Sequence, residues 1–230
     1  MKPIYIQVKD INKEEIEKII ENIFNFYEKI SSKNIKRKYV GNYWNNGDFG
    51  SLEWYILKSL DGSRVNANTF FELLNREPWQ KQEPHYDLVI IDNPLYDGHP
   101  ENNFIFGYTE MVFDKEGNKM NNNGKVLIST HHIKKFYREN WKIALQGILL
   151  HELGHLFGLP NLKNPHYISI PRTEYDLRVG HCNRKDCIME QINVPGCMDL
   201  LEKTKYLIEN NRKMYCKYDL ESLIENLKKL

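Results

Sequence analysis

The spacing of hydrophobic positions predicts strands and helices in turn along the chain. Apolar and polar residues alternate over residues 4–8, as they do in a half-buried strand. Over residues 13–30 the apolar positions recur every three or four residues, which places them on one face of a helix. Residues 86–92 contain the uninterrupted apolar run 88–91, which is typical of a strand buried on both faces.

The remaining segments continue this pattern and predict one fold class. We expect further strands and helices over residues 35–44, 104–112 and 126–129 (strands), and 52–60, 69–75, 143–158 and 219–230 (helices). Strands and helices alternate at first, and three strands then precede the long helix, so the order predicts an α/β protein built from packed layers. Because no repeat and no linker divides the sequence, we expect a single domain over residues 1–230.

The helix predicted over residues 143–158 carries the clearest chemical signal. His151 and His155 are four residues apart, so they lie on one helix face, and Glu152 directly follows the first of them. Two imidazoles at this spacing can bind one metal ion, and the glutamate can act as the general base of a hydrolase. The other interpretation is a buried amphipathic helix, but burying these three side chains without partners is unfavourable. The sequence therefore predicts a zinc site on this helix.

Composition narrows the class of partner. Lys plus Arg number 32 and Asp plus Glu number 31, so the charge balance gives no reason to expect a nucleic acid. No apolar run approaches the length of about 18 residues that spans a membrane, and the start of the sequence has no signal-peptide core. We therefore expect a cytoplasmic protein without a membrane partner, and a monomer by default.

The four cysteines all fall in the last quarter of the sequence. In a reducing compartment such clustering favours metal binding over disulfides. No C-x-x-C pair is present, so the spacing alone leaves zinc binding and free thiols equally open.

A catalytic zinc of this kind needs a third protein ligand. Gly158 ends the helix three residues after His155, as in the metzincin pattern H-E-x-x-H-x-x-G-x-x-H. The position of the third histidine in that pattern holds Asn161, which is a poor zinc ligand. Glu174, nineteen residues past His155, would suit a gluzincin, and His166 is nearer but lies in a predicted surface loop.

A second motif downstream resembles the archaemetzincin family. That family joins H-E-x-x-H-x-x-G to a segment with His-Cys, four residues, Cys, one residue and Met. Residues 180–189 read G-H-C-N-R-K-D-C-I-M, so His181, Cys182, Cys187 and Met189 match this segment. The likeness extends upstream over residues 103–107 and 126–129, and an insertion of about twenty residues, 159–180, would separate the two motifs.

The resemblance implies a fold and an activity. The fold would be α/β (α+β), with a metzincin-like mixed twisted sheet, a central zinc-binding helix and a smaller C-terminal subdomain that carries a structural zinc. The N-terminal subdomain would cover residues 1–158 and the C-terminal subdomain residues 159–230. The protein would be a zinc metallopeptidase that hydrolyses a peptide or protein substrate.

Residue by residue, the resemblance implies three roles. His151, His155 and His181 would bind a catalytic Zn²⁺. Glu152 would be the general base for a zinc-activated water. Met189 would be the residue of the Met-turn, which forms an apolar floor beneath the metal.

The resemblance also implies a second, structural zinc, and here the sequence departs from the family. The family pattern ends in a C-x-x-C pair, whereas Asp219 stands three residues after Cys216. We predict that Cys182, Cys187, Cys197 and Cys216 form an all-thiolate site, with Asp219 as the alternative fourth ligand. This assignment gives two Zn²⁺ ions per chain.

An extended substrate is expected to bind along the strand predicted over residues 104–112, at Phe104, Ile105, Phe106, Gly107 and Tyr108. The glycine interrupts this strand, which indicates a bulge or a close approach of the backbone to another group. The competing hypothesis is a zinc-stabilised peptide-binding protein without turnover, with the insertion over its cleft. The intact glutamate of the long helix argues against it, because zinc binding alone does not require that residue.

Overall fold

The computed structural model describes residues 2–40, 51–99, 104–169, 180–191, 199–209 and 214–230. The strands are β1 (Ile4–Lys9), β2 (Arg37–Tyr39), β3 (Leu60–Asp61), β4 (Arg64–Asn66), β5 (Tyr86–Ile91), β6 (Leu95–Tyr96), β7 (Gly107–Glu110), β8 (Lys125–Ser129), β9 (Tyr167–Ser169) and β10 (Gly180–Cys182). The helices are α1 (Lys13–Ser31), α2 (Leu52–Lys58), α3 (Ala67–Asn75), α4 (Pro78–Gln82), α5 (Thr130–Tyr137), α6 (Trp141–Leu156), α7 (Leu200–Glu209) and α8 (Lys217–Lys229). None of the described helices is both long and apolar enough to cross a membrane.

A five-stranded sheet in the order β2-β1-β5-β8-β7 forms the centre of the fold. The first four of these strands run parallel, and β7 is antiparallel to β8. Because β7 stands at one end of this order, it is an edge strand among the residues that the structure describes.

Helices cover both faces of the sheet. The strands β1, β5 and β8 share one apolar core with α1, α6 and α8, and a second core on the opposite face includes α2 and α3. Every residue of β5 is buried, as expected for a parallel strand covered on both sides. Eleven of the 16 residues of α6 are buried, so this helix is the central one and not a surface helix.

The α/β class predicted from the sequence is confirmed, together with most predicted elements. The strands predicted over 4–8, 86–92 and 126–129 are β1, β5 and β8, and the helices predicted over 13–30 and 143–158 are α1 and α6. The predicted strand 35–44 is shorter, because β2 covers Arg37–Tyr39, and residues 41–44 lie outside the described part of the chain.

The prediction of one strand over residues 104–112 was too long. Only Gly107–Glu110 belongs to the sheet as β7. The backbone N–H of Ile105 donates to the carbonyl of Leu95 in β6, and the N–H of Val112 donates to the carbonyl of Leu156 in α6, both at 2.9 Å. Ile105 and Val112 therefore form hydrogen bonds outside the five-stranded sheet, whereas the carbonyl of Phe106 still accepts the backbone N–H of Ser129 in β8.

Candidate active site and metal centres

The two histidines of α6 turn their Nε2 atoms toward each other, 3.0 Å apart. His151 donates from Nδ1 to the carbonyl oxygen of Ile188 at 2.8 Å, and His155 donates from Nδ1 to that of Leu159 at 2.7 Å. Because a carbonyl can only accept, each ring carries its proton on Nδ1 and a lone pair on Nε2. Backbone groups thus fix the tautomer and the orientation that a metal-binding imidazole needs.

Both rings are held in the neutral form. Burial lowers the pKa of His151 to about 4, and burial lowers the pKa of His155 well below its usual range. Two lone pairs that face each other repel unless they share a cation. The Nε2 atoms of His151 and His155 are 3.0 Å apart, which is close to the roughly 3.3 Å between two nitrogens bound to one tetrahedral zinc. The donor set therefore fits a zinc ion.

The third imidazole comes from β10. The donor nitrogens of His151, His155 and His181, one from each ring, all lie within 4.8 Å of one another. We call these three residues the histidine cluster. In β10 the residue is paired with Ile168 of β9, so a strand within the predicted insertion positions it. Glu174, the alternative third ligand, lies outside the described residues.

The other two candidates for the third ligand have different surroundings. Asn161 is buried, and its side-chain oxygen accepts the backbone N–H of Lys163 at 3.0 Å, so it stabilises a turn. His166 is half-buried and packs edge-on against Tyr218, with ring centroids 5.9 Å apart. The expectation of a surface loop at that position was therefore only partly right.

Glu152 lies against the edge strand of the sheet. Its Oε2 accepts a hydrogen bond of 2.5 Å from the hydroxyl of Thr109. A Cβ atom on Gly107 would lie only 2.6 Å from Glu152 Cγ and Oε1, so the absence of a side chain there admits the carboxyl group. The glycine in the predicted strand indicated a bulge or a close approach of the backbone to another group, and the carboxyl group of Glu152 is the group that lies close to it. Burial raises the pKa of Glu152 to about 7, and the hydrogen bond from Thr109 opposes that rise.

The segment around Met189 packs beneath α6. A Cβ atom on Gly154 would collide with the sulfur of Met189, so the methionine lies directly against the helix turn that carries the histidines. The next residue, Glu190, forms a buried ion pair with Lys203 of α7. This ion pair connects the segment around Met189 with α7, and α7 itself packs against α6.

The residues predicted to bind substrate fall into two groups. Ile105 and Tyr108 pack against the core formed with α2 and α3, away from α6. Phe106 packs against the core that contains α6, and Phe104 stacks on His132 of α5 with ring centroids 4.4 Å apart. The backbone of β7 therefore lies beside Glu152, while its flanking aromatic side chains cover α5.

A second group of buried ligands lies between β10 and the start of α8. Three thiols that form no disulfide meet one carboxyl group, and each contributes one atom to a set within 4.8 Å: Cys182, Cys187, Cys216 and Asp219. We call these four residues the thiol–carboxyl cluster. The sulfurs of Cys182 and Cys216 lie 4.0 Å apart. This is close to the roughly 3.8 Å expected for two sulfurs on one tetrahedral zinc.

The carboxyl group of Asp219 points into the sulfurs. Its Oδ2 lies 3.1 Å from the sulfur of Cys187 and 3.4 Å from that of Cys216. Its Oδ1 accepts a hydrogen bond of 2.8 Å from the amide of Asn164. Burial raises the pKa of Asp219 to about 7 and raises the pKa of Cys187 well above its usual range, so a cation is needed to keep these groups charged. Cys197 lies outside the described residues.

Sequence reasoning missed Thr109 and Asn164. The threonine stands two residues after Gly107, so strand alternation places both on the face toward α6, and this signal was available. Asn164 lies in the predicted insertion, yet its side chain is buried and reaches the thiol–carboxyl cluster. Nothing in its local pattern distinguishes it from an ordinary turn residue.

The fold matches solved structures, whereas no family model and no curated protein matches the sequence. The archaemetzincin of Methanopyrus kandleri aligns with 16% identity and a TM-score of 0.58, over 99% of this chain and 96% of that one. The archaemetzincin of Archaeoglobus fulgidus, solved with malonate, aligns with 17% identity and a TM-score of 0.50, over 96% of this chain and 99% of that one. The chain therefore has the fold of the archaemetzincins, as the motifs in its sequence indicated.

Proposed function

We propose that this protein is a zinc-dependent peptidase of the metzincin type. The observation that carries the proposal is the histidine cluster, with three imidazole donors within 4.8 Å and a buried glutamate adjacent in sequence to the first. Three protein ligands and an acid–base group are the set that catalytic zinc enzymes use. A zinc ion bound there supplies a water of lowered pKa and polarises the peptide carbonyl.

Glu152 is the proposed general base and acid. Burial raises the pKa of Glu152 and so makes its carboxylate a better proton acceptor, which suits a group that takes a proton from the attacking water and returns it to the leaving amine. Thr109 holds Oε2 on the β7 side, so the group that moves the proton is fixed between helix and strand. Met189 is the proposed floor beneath the histidines.

The proposed substrate is an extended peptide or protein segment that pairs with β7. This strand ends the sheet, and its backbone passes directly beside Glu152. Main-chain pairing with an edge strand recognises any extended peptide, and pockets along the strand then select side chains. We propose that the chain works as a monomer in the cytoplasm, without a nucleic acid or a membrane as partner.

We propose a second zinc, in the thiol–carboxyl cluster, with Asp219 as the fourth ligand. Four protein ligands close the coordination shell, so this ion stabilises the fold and takes no part in the chemistry. The support for Asp219 is that its Oδ2 lies among the sulfurs while Asn164 holds its Oδ1. With this site, each chain binds two zinc ions.

Cleavage of a quenched fluorescent peptide library tests the activity. We expect Glu152→Gln to abolish cleavage while the zinc content stays at two per chain, because the residue moves protons and does not bind the metal. Glu116→Gln makes the same change at an exposed position of the loop after β7, and this variant should cleave normally. Absence of cleavage by the zinc-loaded native protein would instead favour the peptide-binding protein without turnover.

A further inference from the structure

Two of the three imidazoles are positioned by backbone next to a cysteine of the thiol–carboxyl cluster. His181 and Cys182 are consecutive in β10, so their side chains project from opposite faces of one strand. His151 is oriented by the carbonyl of Ile188, at 2.8 Å, and Ile188 directly follows Cys187. A displacement of either cysteine therefore moves a group that places an imidazole.

The third imidazole is connected through the segment after α6. His155 donates to the carbonyl of Leu159 at 2.7 Å, and Asn164 lies five residues further along. The amide of Asn164 donates to Asp219 at 2.8 Å and lies 3.6 and 3.7 Å from the sulfurs of Cys182 and Cys216. Two members of the histidine cluster are therefore positioned by residues adjacent to the thiol–carboxyl cluster, and the third is connected to it through the segment from Leu159 to Asn164.

We propose that the thiol–carboxyl cluster is a positioning site, whose bound zinc sets the affinity of the histidine cluster for its own metal. The supporting strands are short, since β9 and β10 have three residues each and pair with one another. A two-stranded ribbon is at best marginally stable in water, so the β10 histidine needs the anchor that Cys182 provides. The inference rests on the two proposed metal sites and not on turnover.

The expected size of the effect follows from how outer groups act on metal ligands. Loss of a group that orients a metal-binding histidine lowers metal affinity about 10- to 100-fold. Coupling between two binding sites is reciprocal, so the factor by which metal in one cluster strengthens metal binding in the other is the same in both directions.

Metal release from the holoprotein tests the coupling. Protein loaded with two Co²⁺ per chain is titrated with a chelator, and absorbance and metal release are followed together. Thiolate-bound Co²⁺ absorbs strongly by charge transfer and imidazole-bound Co²⁺ does not, so the spectrum identifies which ion leaves. The main variant is Asn164→Ala, which removes no metal ligand, and Asn34→Ala is the same change at an exposed residue between α1 and β2.

For Asn164→Ala we expect the chelator concentration at half-release to fall about tenfold for both ions. Asn34→Ala should leave this concentration unchanged for both ions. A shift confined to the thiolate-bound ion, or no shift, would overturn the proposal.

The variant Cys187→Ser is a second test, provided that its circular dichroism spectrum matches that of the native protein. Its imidazole-bound ion should also be released about tenfold more easily, and native affinity there would overturn the coupling. Native protein that binds fewer than two ions would contradict the proposed sites themselves, and this inference with them.

Discussion

Thr109 donates a 2.5 Å hydrogen bond from its hydroxyl to Oε2 of Glu152, which joins the edge strand β7 to the helix of the histidine cluster. The same hydroxyl lies 3.3 Å from the backbone carbonyl oxygen of Glu152. The proposed base is therefore positioned by the strand along which the substrate is proposed to bind. Any displacement of that strand also displaces the carboxyl group, so substrate position and base position change together.

Removing this hydroxyl should slow catalysis without loss of metal. A hydrogen bond to a charged group contributes about 1.5–3 kcal/mol, so we expect Thr109→Val to lower kcat/KM about tenfold or more. Thr109→Ser keeps the hydroxyl and should retain most of the activity. Steady-state kinetics on one fluorogenic peptide, with zinc content measured on the same samples, checks both variants. Equal rates for the native protein and the valine variant would show that the contact has no role in the reaction.

The sequence predicts side chains that carry the chemistry better than the groups that position them. The spacing of His151 and His155 places them on one helix face, and the match of residues 180–189 to the family motif implied His181 as the third ligand. The orienting groups were not predictable, because the carbonyls of Ile188 and Leu159 belong to the backbone and leave no trace in residue type.

Short elements were missed for a related reason. The hairpin of β3 and β4 has strands of two and three residues, which is too few positions for a period of two to be recognised. α7 is longer, with ten residues, and its buried positions recur at helical spacing, so this helix could have been predicted from the sequence. Its place in the fold could not, because a Cβ atom on Gly147 of α6 would collide with Thr204 of α7, and local patterns do not record such contacts between distant segments.

Substitution of Gly107 should impair the base by steric contact alone. A Cβ atom would lie 2.6 Å from Glu152 Cγ and Oε1, so the carboxyl group must move. Because a displacement of about 1 Å can reduce a rate about 100-fold, we expect Gly107→Ala to lower kcat/KM by about that factor with zinc retained. Gly62→Asn is the control, because no atom lies within 4 Å of that site and Asn tolerates its φ of +60°. Native activity of the alanine variant would refute the steric argument.

Cobalt spectra can decide the fourth ligand of the thiol–carboxyl cluster. Charge-transfer absorption grows with the number of thiolates on the metal, and the proposed site has three. We therefore expect Asp219→Cys to raise this absorption by roughly one third, because a fourth thiolate replaces the carboxylate. Cys197→Ser should leave the spectrum unchanged. If that substitution instead removed about a quarter of the absorption, Cys197 would be the fourth ligand and the assignment of Asp219 would be wrong.

The pair of His85 and Asp87 should make stability fall as pH rises above the unfolded histidine pKa of about 6.5. Burial lowers the pKa of His85, but the hydrogen bond and charge of Asp87, at 3.3 Å, and the carbonyl of Glu83 outweigh it, so the pKa is raised overall. A raised pKa means that the folded state holds the proton more tightly. The resulting stabilisation is complete below the unfolded pKa of about 6.5 and is lost as pH rises through the folded value.

Asp87→Asn removes the charge and leaves burial as the dominant cause, so the pKa of His85 should then be lowered and the contribution of this residue to stability should increase with pH. Urea unfolding of the zinc-loaded proteins between pH 5.5 and 8.5, in steps of about half a unit, measures both slopes. The pH dependence of metal binding is common to both proteins and cancels in their difference. Parallel curves for the native protein and the asparagine variant would show that this pair does not titrate in that range.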